Sequence, residues 1–288
     1  SWLARLDSVI RHQDQYEAEK RQVVSQMVMY RNTLHKASDI YSANTDIYNE
    51  TFIFDSALAS ETVESNLAYA YKIGNDAMIT EWRIKKSFML SVTGMLTESA
   101  EVLHGISGHT LPHKLQVAYY SQMVYLYAHF GQYTGEGEQH DNYKYQEEAY
   151  RDSLQLVIEP TDTDYAWHSA CKAISDGKSD SAHVSLEKIV AASSLSSREA
   201  ATNAYALSQM YKQMGCNSLY VQNLAKSAIA DLRIANKDIA SLEELAGVLY
   251  NQRVSELKMS GMLSAYEPIH ISAYVCRRYS PSTTECAW

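Results

Sequence analysis

The chain has 288 residues, 46% of them hydrophobic and 20% charged, with 25 Lys plus Arg against 34 Asp plus Glu for a net charge of -9. That length admits one large domain or two with a sizeable core, and the acidic balance repels a phosphate backbone, so no nucleic acid is expected to bind through this region. Only 11 Gly and 4 Pro punctuate it, which favours helix over a turn-rich fold.

The chain opens "SWLARLDSVI" without an initiator Met, a basic stretch or an apolar run, which leaves room for a targeting segment ahead of Ser1. Residues 2 to 36 read as one or two long helices, because Leu3, Leu6, Ile10, Val24, Met27, Val28 and Leu34 recur at helical intervals. The stretch "RHQDQYEAEKRQ" between them is polar and expected to be exposed.

Beyond residue 37 the sequence repeats in a degenerate way. Gly94, Gly131, Gly177 and Gly215 each follow a predicted helix and lie 37, 46 and 38 residues apart, so each is read as the turn of an antiparallel helix pair. A small residue is expected five places after the glycine, where the second helix crosses the first, with a larger apolar residue four places later. Ser99 and Leu103 fill these places in one unit, Ala182 and Leu186 in another, with Ile189 completing the second stripe. Seven places before the glycine come Ser87, Ala170 and Ser208. Small residues at such crossings let helix axes approach to the lower end of roughly 8 to 10 Å.

This is the pattern of the tetratricopeptide repeat (TPR), a helix-turn-helix of about 34 residues. A first unit spans about 38 to 74, with "FDSALA" starting its second helix, Ala57 at the small position and "IGN" closing it. The third runs from Pro112 to Ile158 with an inserted loop "YTGEGEQHDN". The fifth covers 196 to 235, opened by a capping box of Ser196 and Glu199, and Tyr220 at its small position implies looser packing. The expected organisation is an all-α, TPR-like right-handed α-solenoid: an amino-terminal helical segment at 1–37, five hairpins and the start of a sixth at 38–250, and a divergent, partly irregular tail at 251–288.

Chemistry-bearing motifs are sparse. Cys171, Cys216, Cys276 and Cys286 stand far apart and read as free thiols. The pair in "HTLPH", His109 and His113, has the i, i+4 spacing of metal ligands, but Pro112 interrupts a helix there, so both read as ordinary loop and helix-start residues. No nucleophile elbow or phosphate-cradling glycine loop is present, and the adjacent pairs Glu147 with Glu148 and Glu243 with Glu244 point about 100° apart on a helix, as solvated faces do. No cofactor, metal or catalytic residue is therefore expected. The longest apolar stretch, "YYSQMVYLYAHF" at 119 to 130, falls short of the roughly 18 residues of a membrane span.

Two groups remain as candidate sites. Ser227, Asp231, Arg233 and Lys237 form a polar constellation, with Asp231 placed to cap or pair with Lys237; it reads either as a fixed inter-helix network or as a ligand contact. In TPR arrays the first helix of each pair lines the concave face, and counting back from each glycine places Phe88, Tyr125, Trp167, Tyr205, Gln209 and Lys212 there. Such a groove suits apolar or aromatic peptide segments, or sugars that stack on rings. The other reading is that these aromatics pack between hairpins, since 22 Tyr must be housed.

At "FDSALA", "GMLTESAEVL", "YRDSLQLVI" and above all Ser227 to Tyr250, the chain resembles a family of Bacteroidetes TPR-containing, membrane-anchored proteins labelled transcriptional regulators. The likeness covers about residues 3 to 250 and is most specific at Ser227, Ala228, Ile229, Asp231, Leu232, Arg233, Lys237, Leu245 and Ala246. It implies an exported, non-enzymatic binding or sensory region for a peptide, protein or other ligand, followed by one membrane span and a cytoplasmic segment. The alternative is a cytoplasmic protein-protein interaction scaffold that senses nothing. The tail departs from the family: Arg253 stands where a turn is expected and Lys258 at the small position, so the sixth hairpin is not expected to close in the usual way.

Overall fold

A computed structural model describes residues 1–237 and 239–259. The described residues are helical apart from turns and loops, with no strand among them, as expected of a TPR-like helical repeat. The tail beyond 259, with Cys276 and Cys286, lies outside the described residues, as does Asp238. Two compact units divide the chain, one of Ala18–Lys172 and one joining Ser1–Glu17 to the chain from Ala173.

The helices are α1 (Trp2–Arg11), α2 (Gln13–Thr33), α3 (Ala37–Thr51), α4 (Ser56–Ile73), α5 (Asp76–Val92), α6 (Leu96–Leu103), α7 (His113–Tyr133), α8 (Glu138–Val157), α9 (Tyr165–Ser175), α10 (Ser179–Ala192), α11 (Arg198–Gln213), α12 (Asn217–Arg233) and α13 (Ala240–Met259). In the Ala18–Lys172 unit α3 packs on α4, α4 on α5, α5 on α6 and α7, and α7 on α8. Local chemistry starts α4 and α5 and stops α4. The Asp55 carboxylate accepts from Leu58 N at 3.0 Å and Asn75 Oδ1 from Met78 N at 3.1 Å, satisfying amides that a helix start leaves unpaired. Gly74 ends α4 at φ 66°, a left-handed cap open to glycine at little cost.

Trp82 of α5 centres this unit's core, fully buried with Tyr48, Ala59, Val63, Leu67 and Met89 around it. Its indole N–H donates to Tyr41 Oη at 2.8 Å, so the largest buried ring keeps its polar edge satisfied. At the α5/α6 crossing Ser87 and Ser99 are fully buried, their hydroxyls 2.7 Å apart. Gln122 of α7 closes this network by donating to Ser87 Oγ at 2.9 Å and Ser91 Oγ at 3.1 Å.

The second unit stacks α10 on α11, α11 on α12, and α12 on both α13 and α1. Leu207, Met210, Leu224, Ile229, Leu232, Leu242 and Leu245 are each at most 1% exposed, and Leu6 of α1 is wholly buried. Alanines 200, 201, 204, 206, 225, 228 and 230 are buried alongside them, which is why the α11–α12 segment is so rich in small residues. Trp2 carries Arg5 at 4.1 Å and Lys226 of α12 at 5.1 Å from its ring, and burial pushes the Lys226 ammonium below its ordinary pKa.

Several local expectations need correction. Gly94, Gly177 and Gly215 do adopt positive φ at helix ends, but Gly131 lies inside α7, and the chain turns at 134–137, with Gly137 at φ 148°. The inserted loop is thus four residues, because "EQHDN" is already the first turn of α8. In α4 the buried small residue is Ala59, whereas Ala57 is exposed. Ile189 is 41% exposed, and Val190 completes the α10 stripe instead. Helix α11 is capped by Ser197, whose Oγ accepts from Ala200 N at 3.1 Å, while Ser196 bonds Ser194. Helix α13 runs through Arg253 to Met259 without the turn expected there.

Candidate functional site

In the Ala18–Lys172 unit, α3, α5 and α7 are successive first helices, and aromatic rings follow one another across them. Phe52, which caps α3, lies 5.9 Å from Phe88 of α5, and Phe88 lies 5.3 Å from Tyr125 of α7. Tyr125 continues to His129 at 4.1 Å, and His129 to Tyr133, which is 71% exposed. Phe88 and Tyr125 are half-buried, so the rings brace neighbouring hairpins through edge and tilted contacts while part of each remains open to solvent. Trp167 on α9 is also half-buried. Phe52 and His129 join the series without a sequence signal, since neither stands at a counted offset from a glycine.

In the other unit, Tyr205, Gln209 and Lys212 of α11 share a single acceptor, Glu244 of α13. Tyr205 Oη donates to Glu244 Oε2 at 3.0 Å and Gln209 Nε2 to the same oxygen at 2.8 Å. Lys212 Nζ donates to Oε1 at 2.6 Å, and Tyr220 Oη of α12 does so at 2.6 Å. Burial by itself would raise the Glu244 pKa, but the bonds from Lys212, Tyr220 and Tyr205 and the charge of Lys212 outweigh it, and the carboxyl titrates below its ordinary value. The same carboxylate pushes the buried Tyr220 phenol up, after desolvation. Two expectations change here. Tyr220 is only 6% exposed and hydrogen-bonded rather than loosely packed, and Glu244 is a bonded partner rather than one of a solvated pair; only Glu243 is exposed.

Ser227, Asp231, Arg233 and Lys237 each make contacts of their own. Ser227 is buried within α12. Asp231 accepts from Asn236 Nδ2 at 2.8 Å, tying down the end of α12. Arg233 Nη1 reaches the Ser194 carbonyl at 3.2 Å, holding the loop before α11, and Lys237 pairs with Glu17 at 2.6 Å. The bonds from Asn236 and Arg233 tie down the end of α12 and the loop before α11.

His109 bonds Ser107, and His113 lies 3.0 Å from Asp162. The first of several causes that hold Asp162 below its ordinary pKa is the Glu159 amide. Among the described residues no three His, Cys, Asp or Glu side chains stand together so as to hold a metal ion. Cys171 and Cys216 are free thiols, and burial pushes Cys171 up to about 11 against the opposing influence of Arg151. No described helix is long and apolar enough to cross a membrane.

Helix hairpins, three of them turning at the left-handed glycines Gly94, Gly177 and Gly215, with small buried residues at their crossings, define a TPR-type helical repeat protein, a class whose role is in general binding rather than catalysis. Over residues 10–266 the chain matches the SusR N-terminal TPR domain, and it belongs to that family. No curated protein and no solved structure matches it.

Proposed function

We propose that this chain is a non-enzymatic recognition region of a signalling or transcription-regulatory protein, and that a peptide or protein segment lies along the face made by its first helices. In this reading the region stands on the extracytoplasmic side of a membrane-anchored protein and passes its occupancy toward the carboxyl end. The observation that carries it is the run of Phe52, Phe88 and Tyr125 across three successive first helices. Rings partly open along a line that crosses hairpins offer an extended ligand apolar contact at several points.

The test is a panel of aromatic-rich peptides titrated by fluorescence anisotropy against the wild-type chain, Phe88→Ala, Tyr125→Ala and, as control, Tyr145→Ala on α8, which is 68% exposed. Loss of about tenfold or more in affinity is expected for the first two variants, as for a central aromatic contact, with Tyr145→Ala unchanged. Equal binding by all four chains would place recognition elsewhere. Protease protection of the full-length protein in intact cells and spheroplasts checks the side of the membrane.

A further inference from the structure

The Glu244 cluster has the form of a filled binding site. A carboxylate offers about four lone-pair positions, and here four donors occupy them, two on each oxygen: Lys212 and Tyr220 on Oε1, Tyr205 and Gln209 on Oε2. All four donors belong to the α11–α12 hairpin, and the carboxylate comes from the next element, α13. The set contains one ammonium, two phenols and one amide, so without Glu244 it would hold a net positive charge and four donors aimed at one point. Such a cradle suits an anion, and two donors on each of two oxygens match a carboxylate. Lys212 remains 55% exposed in its side chain against 20% for Glu244, so the cationic wall opens to solvent.

We propose that Tyr205, Gln209, Lys212 and Tyr220 form a carboxylate-binding site that Glu244 occupies in cis, and that an acidic residue of a peptide partner competes with Glu244 and loosens α13. The competitor rests on the binding reading of the first-helix face; the cradle itself does not. Because Ile239, Leu242 and Leu245 anchor α13 independently of Glu244, exchange of the carboxylate does not require the hairpins below to unfold. Occupancy at the cradle is thereby converted into mobility at the carboxyl-terminal end of the described repeats.

Two measurements test this separately. In the first, the full chain carrying Glu244→Ala is melted in sodium acetate and in sodium chloride of equal ionic strength. Acetate is expected to raise its Tm by about 2–4 °C over chloride, as ligand binding to the folded state does, and to leave the wild-type chain and the Lys212→Ala, Glu244→Ala double variant unmoved. No acetate-specific shift, or one that survives loss of Lys212, overturns the cradle. If the alanine chain does not fold, Glu244→Ser carries the same readout. In the second, amide exchange in α13 of the wild-type chain is followed with millimolar acetyl-Ala-Glu-Ala-Glu-Ala-amide or its Gln counterpart. Exchange about tenfold faster with the Glu peptide alone is expected; no acceleration, or equal acceleration by both, overturns the competition even where acetate rescues. Unchanged peptide binding in Phe88→Ala with both of these results intact would leave the cradle standing and the aromatic face as ordinary support.

Discussion

Ser99 is the most searching place to test why these hairpins close. Its Oγ donates to the Ser87 carbonyl at 2.8 Å and sits 2.8 Å from Ser91 Oγ, all at full burial in the α5/α6 crossing. In Ser99→Ala no partner is orphaned, because Gln122 still reaches both remaining hydroxyls and Ser91 Oγ still donates to the Ser87 carbonyl at 3.0 Å. The cost is then that of a net hydrogen bond or two, about 1–2 kcal/mol. Ser99→Val loses the same bonds, puts one methyl in place of the hydroxyl and adds a second at a fully buried position, which brings a further ~1–3 kcal/mol of overpacking. Stacked hairpins need not unfold in one step, so urea midpoints are to be read together with amide exchange in α5 and α6. Valine should cost clearly more than alanine, with the extra exchange confined to this crossing. A valine chain as stable as the alanine chain would refute the argument that the crossing demands small volume.

Two further substitutions should move stability in a direction opposite to habit. Gly131 is helical with nothing within 4 Å of an added Cβ, so Gly131→Ala should stabilise by about 0.5–1 kcal/mol, whereas Ala235 is held at φ 55° at the end of α12, so Ala235→Gly should relieve about 1 kcal/mol; thermal melts that show either chain less stable than the parent would contradict the assignment. The Glu244 carboxyl has a folded pKa below its ordinary value of 4.5, so its contribution is fully present above that value and is lost as pH falls through the folded value. Glu244→Gln should therefore be less stable than the parent at neutral pH, and the gap should close on acidification below about pH 4.5; a gap that stays constant to pH 3 would show that the carboxylate charge contributes nothing.

The sequence was most readable where backbone geometry restricts residue choice. Gly94, Gly177 and Gly215 announced turns because left-handed helix ends favour glycine, and Ser87, Ser99, Ala170 and Ser208 announced crossings because bulk is excluded there. Gly131 misled by the same rule: a glycine that sits in open helical space meets no steric demand, and nothing in its neighbours reveals that. Tyr220 misled because a large residue at a small position suggested slack, when its hydroxyl is satisfied by Glu244, 24 residues further on. For the candidate site, counting from glycines grouped Tyr205, Gln209 and Lys212 on one helix face, but their common acceptor stayed hidden. Glu243 and Glu244 look alike in sequence, and only the rotation of α13 decides which faces the hairpin and which faces water.

The least legible feature was the place of α1. In a pure repeat array each hairpin contacts its neighbours alone, and stability is a sum of local terms. Here Leu6, Val9 and Ile10 are buried in a helix that packs on α12, more than 200 residues away along the chain, with Lys237 to Glu17 as a second tie. Periodicity identified the apolar face of α1 but carried no information about its partner, because any helix with a complementary stripe would serve. The consequence concerns α12 in particular. Bearing α11, α13 and α1 at once, it is enclosed on three sides, which accounts for the unbroken burial from Ser227 to Leu232. A helix surrounded by three others tolerates substitution on almost none of its faces.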